Sequence, residues 1–249
     1  MDDPLPANLV EKWSEFLKTH PAPNWKGTTI DRHVDPTTSP MDVFDDGILF
    51  PLQRKRELQG MLRIAIQIGT SAAMEIGADK GGGLFQWCNL PGMRKIVAIE
   101  IRGTPYSELF RAHFPDIEFL FIPGPSLDPD SIEAVVQFLG PDQFDCIFID
   151  GDKGTFMEDF NTYRPMVRRG GYAFLHDIHA GELCGAAPPV EVFERLATNK
   201  NFQTHAIIDI TEGTEAKEAE KRGEPCKSAH DGWLRYWGTS SCGVGCVRL

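Results

Sequence analysis

The chain has 249 residues, 41% of them hydrophobic, and its 25 basic and 36 acidic residues give a net charge of −11. This length fits one domain of ordinary size with an appended segment, and the hydrophobic content suffices for a sizeable core. No apolar run approaches the ~20 residues that a membrane helix needs, and no long basic run predicts binding to nucleic acid or to an anionic membrane.

The sequence also predicts a cytoplasmic location. Its start, Met1-Asp2-Asp3-Pro4, lacks the basic and apolar regions of a signal peptide. The six cysteines are scattered, which favours a reduced protein over a disulfide framework. A homo-oligomer is compatible with the sequence, which does not indicate an oligomeric state.

The predicted elements alternate between strands and helices. Residues 1–50 predict an N-terminal helix and loop laid over the main domain as a lid, and residues 51–249 predict that domain, with an exposed polar insertion at about 211–231. The domain opens with a helix from Phe50-Pro51 to about Ile68. Strands are predicted at 72–77, 95–101, 117–122, 144–149, 172–175, 202–210 and 243–248, with helices between most of them. Five parallel strand–helix steps and a terminal strand pair predict an α/β fold with a doubly wound, mostly parallel seven-stranded sheet and helices on both faces.

The segment after residue 143 predicts a strand, a helix and a second strand. Phe144 to Ile149 form a short apolar run, typical of a strand buried on both faces of a parallel sheet. An apolar stripe from Phe156 to Val167 has helical spacing, and the Gly170-Gly171 pair is expected to end that helix. Tyr172 to Leu175 form the next apolar run.

Polar side chains follow both of these strands. Asp150, Asp152 and Lys153 come directly after the first strand, and His176 and Asp177 come after the second. Because the carboxyl ends of parallel strands meet at one edge of a sheet, these groups should converge where open α/β sheets bind ligands. Packing alone does not explain three carboxylates, an imidazole and an amine at this edge.

A glycine turn lies between the first strand and its helix, in the sequence Glu75-Ile76-Gly77 followed by three residues and Gly81-Gly82-Gly83. Glycines let a ligand approach the backbone, and a helix N-terminus offers free N–H groups. The spacing departs from the dinucleotide pattern G-x-G-x-x-G, because Asp79 stands at the second glycine position. Glu100, at the end of the second strand, could bind both hydroxyls of a ribose.

These motifs resemble the class I S-adenosylmethionine-dependent methyltransferases. The resemblance is strongest to the small metal-dependent O-methyltransferases of the catechol type, and to the sugar and macrolide O-methyltransferases with their cephalosporin-hydroxylase-like relatives. It covers about Leu52 to Leu249 and depends on the glycine turn, Glu100, the strand end at 148–152 and the His176-Asp177 pair. It implies a Rossmann-like methyltransferase fold and transfer of a methyl group to a hydroxyl of a small molecule, such as a natural product, a sugar or a catechol-like acceptor.

The resemblance also implies cofactor contacts. Glu75 and the backbone from Gly77 to Gly81 would lie against the methionine part of S-adenosylmethionine, Glu100 would hold the ribose, and Ser126 would meet the adenine. The implied cofactor-binding residues are Glu75, Gly77, Ala78, Gly81, Glu100, Ser126 and Asp150. Two residues depart from the pattern, since Asp79 replaces a common glycine and Pro125 stands where relatives carry Asp or Ala.

A divalent metal, Mg²⁺ above all, would be held by Asp150, His176 and Asp177 in the resembling enzymes. His176 departs from the usual Asp-Asn or Glu-Asp pair, and imidazole suits Mn²⁺ or another transition metal better than Mg²⁺. His176 could instead contact cofactor or substrate while the aspartates hold the ion. Lys153 stands where the catechol type carries its lysine base. Lysine works as a base only when its pKa falls toward neutrality, and a neighbouring dication together with desolvation would lower it. His179 is a second candidate base.

Other interpretations remain open at this level. The chain could be a cofactor-fold protein that binds the nucleoside and catalyses a different reaction or none, or a nicotinamide oxidoreductase, which the absent G-x-G-x-x-G disfavours. Cys226, His230, Cys242 and Cys246 could form a zinc site, although their spacing misses the C-x2-C pattern. The aromatic residues at 233–237 could pack in the core or wall a substrate pocket.

Overall fold

The computed structural model describes residues 55–79, 81–104, 106–178, 187–207 and 243–249. Within them, seven strands form one sheet in the order β3-β2-β1-β4-β5-β7-β6. The strands are β1 (Ala72–Ile76), β2 (Lys95–Ile99), β3 (Glu118–Ile122), β4 (Phe144–Ile149), β5 (Val167–His176), β6 (Gln203–Ile207) and β7 (Val244–Arg248). The first five strands pair in parallel, and β7 runs antiparallel to both β5 and β6. The predicted doubly wound, mostly parallel seven-stranded sheet is confirmed.

Helices cover both faces of this sheet. They are α1 (Lys55–Gln67), α2 (Gly82–Cys88), α3 (Ser107–His113), α4 (Pro129–Leu139), α5 (Phe156–Tyr163) and α6 (Ala187–Thr198). Helices α1 to α3 pack on one face and α4 to α6 on the other, because alternate residues of each strand point to opposite sides. No helix in this described part of the chain is long and apolar enough to cross a membrane. The predicted lid at 1–50 and insertion at 211–231 lie outside the described residues, so both stay predictions.

The segment after α5 differs from the sequence-based expectation. The helix predicted to run to Gly170-Gly171 ends at Tyr163, a short 3-10 turn spans Arg164–Met166, and Val167 already begins β5. Pro165 accounts for the early end, because proline lacks the N–H that would continue the helical hydrogen bonds. The glycine pair lies inside β5, where Gly170 has a φ of 79° and the β4–β5 register shifts.

Asp145 joins three strands at the amino-terminal edge of the sheet. Its carboxylate on β4 accepts hydrogen bonds from the backbone N–H groups of Ser71 (2.7 Å) and Ala72 (2.9 Å), where β1 begins. Arg168 of β5 donates to the other carboxylate oxygen. Burial raises the pKa of Asp145, but these donors outweigh it and hold the pKa below its usual value.

The order of the strands determines where the site lies. The chain moves from β1 outward to β2 and β3 and then returns to β4 on the other side of β1. The carboxyl ends of β1 and β4 therefore flank a topological switch point, the usual ligand position in open α/β sheets. Ile76 O accepts a hydrogen bond from Asp150 N (2.9 Å), so the two strand ends stay paired up to the site.

Candidate functional site

The glycine turn after β1 lies against the end of β4. Gly77 has a φ of 83°, and a side chain there would collide with the backbone of Asp150 and Gly151. The N–H groups of Gly77 and Ala78 both donate to Ile99 O, at 2.9 and 3.3 Å, which fixes the turn to the end of β2. The turn therefore holds its backbone close to both neighbouring strand ends.

Glu75 is buried beneath this turn. Its side chain is 2% exposed, and its Oε2 atom has no hydrogen-bond partner within the described residues. Burial raises the pKa of Glu75, and the nearby charges of Asp150, Asp79 and Glu100 raise it further. Such a carboxyl group is costly unless a ligand supplies a donor or a positive charge.

Glu100, at the end of β2, already holds the turn in place. Its Oε2 accepts from Asp79 N (2.8 Å), and its Oε1 accepts from Arg102 N (3.0 Å). Arg102 also binds the Asp79 side chain at 2.6 Å. Asp79, which replaces a glycine common in the resembling family, is therefore neutralised by the exposed Arg102. Sequence reasoning missed this arginine, although it lies two residues after Glu100.

Tyr106, immediately before α3, is buried like Glu75 and carries a polar group. Sequence reasoning missed it as a site residue. It is 1% exposed and packs on Phe110 and Phe121, with ring centroids 5.4 and 6.0 Å apart. Its hydroxyl finds no partner in the described part of the chain. Burial raises the pKa of Tyr106, and among nearby charges that of Glu75 contributes most. Gly81 faces the Tyr106 ring, and a Cβ there would lie 3.3 Å from Cε2.

Ser126 lies beyond β3, and other residues already bind both of its polar groups. Its hydroxyl donates to Asp159 Oδ1 at 2.5 Å, and its carbonyl accepts from the Tyr163 hydroxyl. Asp159 on α5 also accepts from Thr155 Oγ1 (3.1 Å). This buried carboxylate thus ties the loop after β3 to the turn that carries Lys153; neither Asp159 nor Thr155 stood out in the sequence.

Asp150, His176 and Asp177 meet at the ends of β4 and β5. Their potential ligand atoms all lie within 4.8 Å of one another. His176 Nδ1 is 2.9 Å from Asp150 Oδ1 and 3.4 Å from Asp177 Oδ1. Asp177 has a φ of 61°, a conformation that aspartate tolerates better than most residues and that turns the chain at the strand end. Two carboxylates and one imidazole nitrogen form a donor set that could hold a divalent cation.

Burial lowers the pKa of His176, but Asp150 and Asp177 outweigh it and raise the pKa to about 9. Burial also raises the pKa of Asp150, which His176 and Lys153 together hold well below its usual value.

Lys153 lies between the two aspartates. Its Nζ is 2.7 Å from Asp150 Oδ1 and 2.7 Å from Asp177 Oδ2. Burial lowers the pKa of Lys153, but the two carboxylates outweigh it and raise the pKa above its usual value. Without a cation the two carboxylates therefore favour the ammonium form of Lys153. The fall of this pKa toward neutrality, which requires a neighbouring dication, stays a prediction.

The remaining candidate residues divide into two groups. Gly77, Ala78 and Gly81 form the turn as the sequence indicated, and Asp152 caps the short turn at 153–155 through Gly154 N (2.8 Å). His179 lies outside the described residues, so its role stays a prediction. Of the alternative zinc ligands, the structure describes only Cys246, which is buried in β7.

No protein-family model and no curated protein matches this sequence. The fold is nevertheless shared with solved O-methyltransferase structures. One similar structure is the O-methyltransferase from Bacillus cereus in complex with SAH, with a TM-score of 0.55 and 16% identity over 99% of this chain and 92% of that one. Another is TomG from Streptomyces achromogenes, an O-methyltransferase involved in tomaymycin synthesis and bound to SAM, with a TM-score of 0.53 and 16% identity over 77% and 78% of the two chains. At such identities the likeness establishes the fold.

Proposed function

We propose that this protein is an S-adenosylmethionine-dependent O-methyltransferase that acts on a hydroxyl group of a small molecule. The observation that carries the proposal is the convergence of two features at one sheet edge. A glycine turn with the buried acids Glu75 and Glu100 lies on one side, and a carboxylate–imidazole–lysine cluster lies beside it. The first feature suits a nucleoside that bears an amino acid, and the second suits activation of a hydroxyl.

Two buried polar atoms fit the cofactor. Glu75 Oε2 is an acceptor without a partner among the described residues, and the Tyr106 hydroxyl is a donor that likewise has no partner there. The methionine end of S-adenosylmethionine is a zwitterion, whose ammonium would satisfy Glu75 and whose carboxylate would accept from Tyr106. Glu100 would bind the ribose through its remaining lone pairs, and Ser126 and Asp150 would lie near the adenine and the methyl donor.

The cluster fits a divalent cation as a second cofactor. Asp150, Asp177 and His176 Nδ1 would hold it, with Mg²⁺ favoured by the carboxylates and Mn²⁺ or another transition metal favoured by the imidazole. When bound, such an ion lowers the pKa of a substrate hydroxyl.

The chain's own residues would position the reactants and move the proton. S-adenosylmethionine, held by Glu75, Glu100 and the glycine turn, would supply the methyl group. The methyl would pass in line to the acceptor oxygen as its bond to sulfur breaks, and S-adenosylhomocysteine would leave with the electron pair. The hydroxyl proton passes to a base, for which Lys153 and His179 are the candidates. Lys153 can serve only after its ion pairs with Asp150 and Asp177 are broken and its ammonium has lost a proton.

One observation favours a second candidate, a nucleoside-binding protein without methyl transfer. Lys153 and His176 already balance the two aspartates, so the cluster is electrostatically complete without a cation or an acceptor. In this case the site would be a structural ion-pair network beside a nucleoside pocket.

The test combines cofactor binding with product detection. Calorimetry with S-adenosylhomocysteine and with NADH shows which of the two cofactor types the protein binds. The protein is then incubated with a cell extract and S-adenosylmethionine that carries a labelled methyl group. We expect binding of S-adenosylhomocysteine alone and labelled methyl ethers by mass spectrometry. Binding without labelled product would favour the second candidate, and binding of NADH alone would favour an oxidoreductase.

A further inference from the structure

The Lys153 ammonium lies where a cation held by the aspartates would lie. Its Nζ is 2.7 Å from one oxygen of Asp150 and 2.7 Å from one oxygen of Asp177, and His176 Nδ1 contacts the same Asp150 oxygen at 2.9 Å. The side chains of both aspartates are largely buried, at 12% and 7% exposed. Few directions therefore remain from which a second cation could reach these oxygens.

We propose that the Lys153 ammonium and a divalent cation are alternative occupants of the Asp150–Asp177 carboxylate pair, and that cation binding turns Lys153 out of the site. This inference rests on the proposed function, because it assumes that the cluster takes a cation. An ammonium and a dication that contact the same two carboxylate oxygens repel each other, and in a buried site this repulsion is poorly screened. A cation that binds these oxygens would therefore displace Lys153 from both of its ion pairs.

The local structure allows this exchange without refolding. Lys153 begins the 3-10 turn Lys153–Thr155, which Asp152 caps through Gly154 N at 2.8 Å. The lysine side chain is 26% exposed, and its flexible four-carbon stem can rotate while the turn stays in place. The displaced amine would then point away from the carboxylates that hold it as an ammonium. The same event would load the cation and release Lys153 from both aspartates.

The proposal predicts that Lys153 opposes cation binding. Mn²⁺ binding is measured by electron paramagnetic resonance, without methyl donor or acceptor, for the wild type and the Lys153→Met variant. Removing the competing ammonium should tighten Mn²⁺ binding by about tenfold or more, because Lys153 no longer occupies the two carboxylate oxygens. Lys95→Met is the matched control: Lys95 also makes a 2.7 Å ion pair, with Asp142. It lies at the amino end of β2, so its loss should leave Mn²⁺ affinity unchanged.

A second measurement uses the wild-type protein and does not depend on the folding of a variant. Mn²⁺ should increase the rate at which an amine-reactive reagent labels Lys153, with Lys95 labelling unchanged, as measured by peptide mass spectrometry. Equal or weaker Mn²⁺ binding by Lys153→Met, unchanged labelling of Lys153, or no Mn²⁺ binding by either protein would overturn the exchange. Neither of these two assays contains methyl donor. Their outcome therefore tests the exchange alone, and the cofactor-binding and product assays test methyl transfer separately.

Discussion

Removal of one buried hydroxyl group tests the proposed cofactor pocket most sharply. Tyr106 is 1% exposed, and its hydroxyl has no hydrogen-bond partner within the described ranges. Tyr106→Phe keeps the ring that packs on Phe110 and Phe121 and deletes only the oxygen. The free protein loses no described hydrogen bond, so its melting temperature should stay the same or rise, because a buried unsatisfied polar group is removed.

Cofactor affinity, in contrast to stability, should fall in Tyr106→Phe. If the hydroxyl donates to the cofactor's carboxylate, its loss removes a hydrogen bond to a charged group, worth ~1.5–3 kcal/mol. Since 1.4 kcal/mol corresponds to a factor of ten, S-adenosylhomocysteine should bind about 10–150-fold more weakly. A packing role for Tyr106 would instead lower stability and affinity together.

Calorimetry with two ligands separates these possibilities. 5′-Methylthioadenosine carries the nucleoside without the amino-acid end, so its affinity should not change in Tyr106→Phe. Tyr163→Phe is the matched control, because this fully buried tyrosine donates to Ser126 O. It should lower the melting temperature, and any loss of affinity should affect both ligands equally. An equal loss for both ligands in Tyr106→Phe, or no loss for either, would refute a contact between Tyr106 and the amino-acid end.

Three further changes test the remaining features. Glu100→Ala should weaken S-adenosylhomocysteine binding by ~1–3 kcal/mol in calorimetry, and unchanged affinity would remove Glu100 from the ribose role. Chelation should abolish methyl transfer and added Mn²⁺ should restore it, except in Asp150→Asn; full turnover after exhaustive chelation would contradict a metal requirement. The lowered pKa of Asp145 gives stability that is present above ~pH 4 and lost as the pH falls through the folded-state value. Asp145→Asn should therefore lose less stability than the wild type below ~pH 4 in acid melts, and identical acid profiles would contradict this contribution.

The central strands of the sheet were predictable from the sequence because they are buried on both faces. β4 is predicted and observed at Phe144–Ile149, and every residue in it is buried. Residues 167–169 were predicted as helix but form the start of β5. Apolar spacing alone did not predict this difference. Val167 continues the helical stripe of α5 in sequence, but Pro165 ends the helix, and pairing with Phe144 places Val167 in β5. Pro165 is a local signal for the end of the helix, whereas the start of β5 at Val167 depends on strand pairing, which the local pattern does not encode.

The positions of site residues at adjacent strand ends were predictable from the sequence. The ion pairs and hydrogen bonds that these side chains form were not. Asp150 and Asp177 follow adjacent strands, so their proximity followed from a parallel sheet. The state of Lys153 did not follow, because its pKa depends on which carboxylates lie within reach of its amine. Arg102 and Tyr106 were missed for the same reason, since only the packed turn brings them to Asp79 and Glu75.

The charge at this sheet edge gives a further reason to prefer methyl transfer to hydride transfer. Glu100 is compensated by Arg102 and backbone N–H groups, and Asp150 and Asp177 are compensated by Lys153. Glu75 has no comparable partner among the described residues, and its pKa is raised. A ligand with positive charge relieves this position, and S-adenosylmethionine brings both an ammonium and a sulfonium. A nicotinamide dinucleotide brings a pyrophosphate, which an ionised Glu75 would repel. The electrostatics therefore disfavour a nicotinamide cofactor independently of the absent G-x-G-x-x-G pattern.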